Sequence, residues 1–322
     1  MRKAMFCEGN RCLLCPRECV IKEGKLGFCR TRMNVNGEIY TLTFGNSESS
    51  YHFQVDPIEK KPFYHFYPGS YALSFGTPGC NLACRFCQNW SLSQATPENV
   101  ERDYLRPEKI VETAKDERCL SIAYTYSEPT IFYEYALETS KIARKKDIKN
   151  VLITNGYISE EPLRLILNYV DALNIDVKSL NKDFYKKVCL GKVEHVMRAV
   201  EIATKNAHVE LTYLVVTNHT DSDEDLQEFI NWASQFKVPV HFSRYFPMYK
   251  FSEEPTPIQR LSRALELAKK KIDYVYLGNV GGYEDTFCAN CGELVIKRFG
   301  YSVQNNLSGE NCKKCGEKVV VA

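Results

Sequence analysis

The stretch GTPGCNLACRFCQNW, residues 76–90, decides how the rest of the chain is read. It follows YALSFG (71–76), a strand-like run, and carries Cys80, Cys84 and Cys87 at C-x3-C-x2-C spacing. Three thiols on so short a loop can converge on one metal group. A structural zinc site normally takes four protein ligands, and this loop offers three. A [4Fe–4S] cubane held by only three protein thiolates leaves one iron open to an external ligand. Phe86 stands immediately before the last cysteine. Spacing, place after a strand and aromatic neighbour together point to an open cluster.

Downstream of this loop, strand-like and helix-like segments alternate. LSIAYTY (120–126), VLITNG (151–156), LNIDVK (173–178), HVELTYLVV (208–216), VPVHFSRYF (238–246) and DYVYLGN (273–279) read as strands. Helical periodicity is expected at 107–117 from Pro107, in IFYEYALETSKIARKK (131–146), after Ser159 with Pro162 in the first turn, and near 193–205, 223–235 and 257–271. Such alternation calls for a parallel sheet with right-handed crossovers. Six or seven units predict an α/β fold with a partial (β/α)6-type barrel over residues 70–285, a doubly wound sheet being the alternative. Either arrangement gathers chemistry at the C-terminal ends of the strands. Residues 1–69 read as an N-terminal cysteine-rich metal-binding module, with Asn36-Gly37 turning a hairpin inside MNVNGEIYTL. Residues 286–322 form a third piece.

Composition narrows the function classes. The 322 residues are 44% hydrophobic and 25% charged, with a net charge of +2, so no basic field advertises general nucleic-acid binding. No run approaches the roughly 18 apolar residues of a membrane span, and MRKAMFCEGNRC has no apolar core of a secretory signal. A cytoplasmic location is expected, where clustered thiols more often hold metals than form bridges. The 14 cysteines are grouped accordingly. Cys288-x2-Cys291-Gly and Cys312-x2-Cys315-Gly can each aim two sulfurs at one ion, and two such knuckles make a zinc ribbon. Cys12, Cys15, Cys19 and Cys29 suit either zinc or an auxiliary iron–sulfur cluster. The closed set of four thiolates favours zinc, and Cys7 could replace one of them. Cys119 reads as core. Cys189 lies near a predicted loop and could be exposed.

The three-cysteine loop resembles that of the radical S-adenosylmethionine (radical SAM) superfamily. CPRECVIKEGKLGFCR (15–30), KKPFYHFYPGS (60–70), GCNLACRFCQNW (79–90), AYTYSEPTIFYEY (123–135), VLITNGYISEEPL (151–163), NIDVK (174–178) and the C-terminal cysteine pairs together look like the AmmeMemoRadiSam-system radical SAM enzyme family, related to the pyruvate formate-lyase activating enzymes. The resemblance implies S-adenosylmethionine bound at the open iron and cleaved reductively to a 5′-deoxyadenosyl radical. That radical would abstract hydrogen from an unidentified substrate, in a modification pathway associated with Memo-type and AMMECR-type proteins. Glycyl-radical activation is the alternative, and a non-catalytic zinc-ribbon binding protein the more distant one. A flavodoxin- or ferredoxin-type electron donor is implied as a partner.

Cofactor contacts are expected at Phe86, Ser127, Glu128, Thr154, Asn155, Asp176 and Lys178. Tyr126-Ser127-Glu128 stands where radical SAM proteins often carry Gly-Gly-Glu for the methionine amino group, and Ser127 would also serve as a helix N-cap. Thr154-Asn155-Gly156 closes a strand, but Ile153 replaces the Asp that in the activating enzymes helps hold a cation. Asp176 and Lys178, two apart on a strand, face one side among apolar residues. They are expected near the ribose and carboxylate of the cofactor, with a simple ion pair as the bland reading. Tyr124, Tyr126, Tyr213 and Tyr245 could line a substrate cavity, and His65 reads as packing.

Overall fold

The computed structural model describes residues 2–44, 46–47, 54–97, 103–282 and 284–320. Its centre is an eight-stranded sheet: β1 (Gln54–Pro57), β2 (Tyr71–Phe75), β3 (Ser121–Tyr124), β4 (Lys149–Thr154), β5 (Ala172–Val177), β6 (His208–Val215), β7 (Val240–Arg244) and β8 (Val275–Gly278). Every strand pairs with its sequence neighbours, in the order β8-β7-β6-β5-β4-β3-β2-β1. All pairings are parallel except β1 with β2. A doubly wound sheet needs a reversal of strand order, and there is none. Right-handed crossovers that always step the same way place every helix on one face, so the sheet curls into a partial barrel. The sheet also reaches back before residue 70 through β1.

Six helices make the crossovers: α1 (Pro107–Asp116), α2 (Tyr133–Arg144), α3 (Glu160–Leu167), α4 (Val193–Ala203), α5 (Asp223–Ala233) and α6 (Ile258–Ala268). Their apolar faces explain the packing. In α1, Pro107 opens the helix and Ile110, Val111 and Ala114 turn inward. In α3, Leu163, Ile166 and Leu167 do so behind Ser159, which holds the N-cap position without a side-chain bond. The helix expected from residue 131 begins as a 3-10 turn over Pro129–Phe132.

Two smaller pieces dock on the barrel. The N-terminal one includes the strands Arg32–Val35 and Glu38–Thr41, turned by Asn36 and Gly37, both at positive φ. It is tied to α2 by a buried ion pair between Arg32 and Glu134 at 2.5 Å and by the backbone N–H of Met5 donating to Glu134 at 2.7 Å. The C-terminal piece is a three-stranded antiparallel sheet, Thr286–Phe287, Leu294–Phe299 and Ser302–Asn305. Its buried Arg298 donates to the Tyr64 carbonyl at 2.8 Å and lies 3.6 Å from Glu59. The PFYHFY segment is therefore a seat for the C-terminal module. His65 packs there, its ring nitrogens facing the Val319 carbonyl and the Tyr276 hydroxyl. Among the described residues no helix is long and apolar enough to cross a membrane.

Candidate active site

The cysteine loop leaves β2 at a point where only glycine fits. A Cβ on Gly76 would fall 2.3 Å from the Thr125 carbonyl oxygen at the end of β3. The loop backbone is then held from outside, with Ala83 N–H donating to Cys189 O at 3.1 Å and Arg85 N–H to Val188 O at 3.0 Å. Those carbonyls belong to a single π-helical turn, Tyr185–Cys189, that ends on Leu190 in the left-handed region. Cys80, Cys84 and Cys87 all line one cavity of about 240 Å³. Leu82 N–H lies 3.4 Å and Asn155 Nδ2 3.6 Å from Cys80 Sγ, and Ser93 Oγ is 3.3 Å from Cys87 Sγ.

Cys189, which its sequence context allows to be exposed near a loop, is completely buried. Its thiol lies within hydrogen-bond reach of Cys84 and pushes the Cys84 pKa well up, with burial adding to the effect. Burial likewise raises Cys80 and Cys87.

The opposite wall is built from strand ends. Ser127, Thr154, Asn155, Asp176 and Lys178 all face the same cavity as the cysteines, and Phe86 closes it beside Phe184. Lys178 Nζ lies 3.3 Å from Asp176 Oδ2, with the lysine side chain 14% and the aspartate side chain 39% exposed. Burial works against the Lys178 charge, but Asp176 and the Cys84 sulfur overcome it and hold the pKa well above the ordinary lysine value. The ion pair and the cavity position therefore coexist. Ile153 also faces the cavity, an apolar side chain beside Thr154 and Asn155.

Two expectations are corrected. Ser127 does not cap a helix: its Oγ donates to the Thr77 carbonyl at 2.6 Å, tying the cysteine loop to the end of β3. The cap is Glu128, whose carboxylate accepts from Thr130 N–H at 3.0 Å. Glu128 is wholly buried behind the cavity wall rather than in it, and it also accepts from Thr130 Oγ1, Thr154 Oγ1 and Asn155 N–H. It positions two cavity residues and does not itself face the cavity. Of the four tyrosines, Tyr126 and Tyr245 line the cavity. Tyr124 and Tyr213 are buried, with their hydroxyls on Asn150 and the Thr220 carbonyl. Thr212, Ser243 and Asn279 also reach the cavity from later strands and were not singled out as contacts. Their signal is parity: Thr212 with Leu214, and Ser243 with Tyr245, fall on alternate positions at strand ends.

The donor set fits the expected group. Three thiols face a wall carrying one ammonium, one carboxylate, hydroxyls and an amide, which suits an open cluster and a ligand with amino-acid and ribose moieties. Cys80, Cys84 and Cys87 would hold the cluster, and Lys178, Asp176, Thr154, Asn155 and Ser127 the ligand's polar groups.

The other cysteines form two further groups. Cys288 and Cys315 stand 3.5 Å apart, Cys291 and Cys312 3.7 Å apart, and all four sulfurs lie within 4.8 Å of one another, so they can hold one metal ion. Cys12, Cys15, Cys19 and Cys29 line a separate cavity with Arg32 and Asn81. Cys7 pairs with Cys12 across two short strands. Cys119 is buried, as its place before an apolar strand suggests.

A fold and site of this kind define an enzyme class that performs radical chemistry. The chain belongs to the radical SAM superfamily, whose profile matches residues 75–233. It is 44% identical to the uncharacterized protein MJ0808 of Methanocaldococcus jannaschii over 335 aligned residues, covering 99% of each chain. It is 25% identical to the 4-hydroxyphenylacetate decarboxylase activating enzyme of Clostridium scatologenes over 123 residues, 36% of this chain and 39% of that one. Among solved structures, Streptococcus suis SuiB bound to S-adenosylmethionine superposes with a TM-score of 0.53 at 14% identity, over 70% of this chain and 53% of that one.

Proposed function

We propose that this protein binds a [4Fe–4S] cluster on Cys80, Cys84 and Cys87 and uses it to cleave S-adenosylmethionine for hydrogen abstraction from a substrate. The observation that carries the reading is the single cavity in which the three-thiol set faces Lys178 and Asp176 across the ends of the parallel strands. When bound, the cluster and S-adenosylmethionine supply an electron and a breakable sulfonium C–S bond, yielding a 5′-deoxyadenosyl radical. The protein's part is position and shielding. Lys178 offers a cation for a carboxylate, and Asp176 offers an acceptor for hydroxyl or ammonium groups. Asn155 steadies the Cys80 sulfur, and Phe86 excludes water on the loop side. The C-terminal four cysteines hold zinc in a structural role.

The motif set along the whole chain favours a modification enzyme working with Memo-type and AMMECR-type proteins, fed by a flavodoxin- or ferredoxin-type donor. The local similarity to the 4-hydroxyphenylacetate decarboxylase activating enzyme supports the second reading, activation of a glycyl-radical partner. The test is anaerobic turnover on deuterated candidate substrates. Deuterium appearing in 5′-deoxyadenosine from a small molecule or a side chain supports modification. A glycyl radical seen by paramagnetic resonance on a partner polypeptide overturns it in favour of activation.

A further inference from the structure

We propose that Cys12, Cys15, Cys19 and Cys29 bind a second iron–sulfur cluster of the [4Fe–4S] type, fully ligated by protein, and not a zinc ion. This goes beyond the function proposed above.

Spacing is the first argument. Four thiolates on one tetrahedral zinc at the usual bond length stand about 3.8 Å apart. The C-terminal quartet adopts that spacing, with pairs at 3.5 and 3.7 Å. Among the described residues it is the one group of three or more Cys, His or carboxylate ligand atoms that lie within 4.8 Å of one another. The N-terminal quartet does not meet that limit, although its four cysteines face one common cavity. Neither does the Cys80, Cys84 and Cys87 set, which also shares a cavity. A cubane seats each thiolate on a different iron, so its ligands must stand farther apart than four sulfurs sharing one ion. The described residues thus hold one set with zinc-like spacing and two open sets, and the N-terminal quartet belongs with the open ones.

The second argument is a set of buried donors beside the sulfurs. Arg32 is 1% exposed and lines the quartet's cavity. Its Nη2 pairs with Glu134, and its Nη1 lies 3.7 Å from Cys12 Sγ. With its charge balanced by Glu134, the guanidinium still presents Nη1 as a donor to a ligand sulfur. Thr31 Oγ1 adds a donor 3.2 Å from Cys29 Sγ, and hydrogen bonds to ligand sulfurs are a lever on cluster potential. Cys7 does not line this cavity; it pairs with Cys12 across the two short strands, and its Sγ lies 3.6 Å from Arg32 Nη1.

The site abuts the catalytic loop. Gly79, at φ +102°, packs so tightly that a Cβ would lie 2.5 Å from the Cys29 carbonyl oxygen. Asn81 lines the quartet's cavity while its side-chain oxygen accepts from Asn155 Nδ2 at 3.0 Å beside Cys80. The two cluster sites share a wall.

The experiment uses the full chain, reconstituted anaerobically with iron and sulfide in the presence of zinc, with metal counts, Mössbauer spectra and paramagnetic resonance of the reduced protein. In the triple variant Cys80→Ala, Cys84→Ala, Cys87→Ala we expect half the wild-type iron to remain, with a reduced signal that S-adenosylmethionine does not perturb. In Cys15→Ser, Cys29→Ser we expect the other half to remain, with a signal that S-adenosylmethionine does perturb, and zinc unchanged. The second variant carries the test if the first fails to fold. A wild type with one cluster and two zinc ions, losing one zinc in Cys15→Ser, Cys29→Ser, overturns this inference and leaves the proposed function standing. A wild type whose only cluster survives the triple variant overturns the proposed function and leaves this inference standing.

Discussion

The backbone N–H of Asn155 donates to Glu128 Oε2 at 2.8 Å, while the Asn155 side chain reaches Cys80 Sγ at 3.6 Å. One buried carboxylate therefore orients a residue that touches both the cysteine loop and the cavity it lines. Burial raises the Glu128 pKa, and the N–H groups of Asn155 and Thr130 with their neighbouring hydroxyls oppose that rise. At metal sites, losing the partner that orients a binding residue costs roughly 10–100-fold in affinity or activity, and the same scale is expected for the cavity residues that Glu128 holds. Glu128→Ala should lose S-adenosylmethionine affinity in that range while keeping its iron; Glu128→Gln should recover part of it. Equilibrium binding alongside iron content checks this, and unchanged affinity in Glu128→Ala would remove Glu128 from the account.

Lys178 is the one cationic side chain that faces the cavity among the described residues. A charge-assisted hydrogen bond is worth about 1.5–3 kcal/mol, or roughly 10–150-fold in affinity. Lys178→Met should weaken S-adenosylmethionine binding by that factor without loss of iron. Normal binding and normal cleavage in that variant would withdraw the assignment.

None of the four C-terminal cysteines lines the cavity of Lys178. Stripping the metal from that quartet, or Cys291→Ala, should lower the melting temperature and release one equivalent of zinc. Activity per loaded cluster should hold below the new transition. A drop in turnover at unchanged cluster loading would give the module a catalytic part it is not assigned here.

His65 supplies a pH signature. Its pKa falls from the ordinary 6.5 to about 4 because the ring is buried, and Glu210 only partly opposes this. A neutral buried histidine destabilises the fold once the unfolded chain can bind the proton, so stability falls as pH drops below about 6.5 and stops falling below about 4. The loss between neutral pH and about pH 5 amounts to roughly 2 kcal/mol. Thermal melts of wild type and His65→Asn over that range should show a steeper acid slope in the wild type; parallel slopes contradict the assignment.

Much of this architecture was legible because it is periodic or local. The strand–helix alternation fixed the barrel's units, and Cys80, Cys84 and Cys87 announced themselves by spacing. Parity on β5 put Asp176 and Lys178 on one side, and the structure pairs them at 3.3 Å on the cavity wall. What escaped was long-range. Nothing near Cys189 in sequence shows that a π-helical turn brings it under Cys84, and a surface-like KKVCLGK context argued for exposure. Glu128 looked like a ligand because it sits in the right tripeptide, whereas the positive φ of Tyr126 turns Ser127 onto Thr77 and sends Glu128 inward. The sheet's earlier start at β1 depends on pairing with β2, which no local pattern reports.

The most direct test is anaerobic incubation of the reconstituted full chain with S-adenosylmethionine and a low-potential reductant, followed by quantification of 5′-deoxyadenosine. The account predicts steady formation by the wild type and none above background in Cys84→Ala. A wild type that carries iron and binds S-adenosylmethionine yet yields no 5′-deoxyadenosine, or a Cys84→Ala variant that forms it as fast, would contradict it.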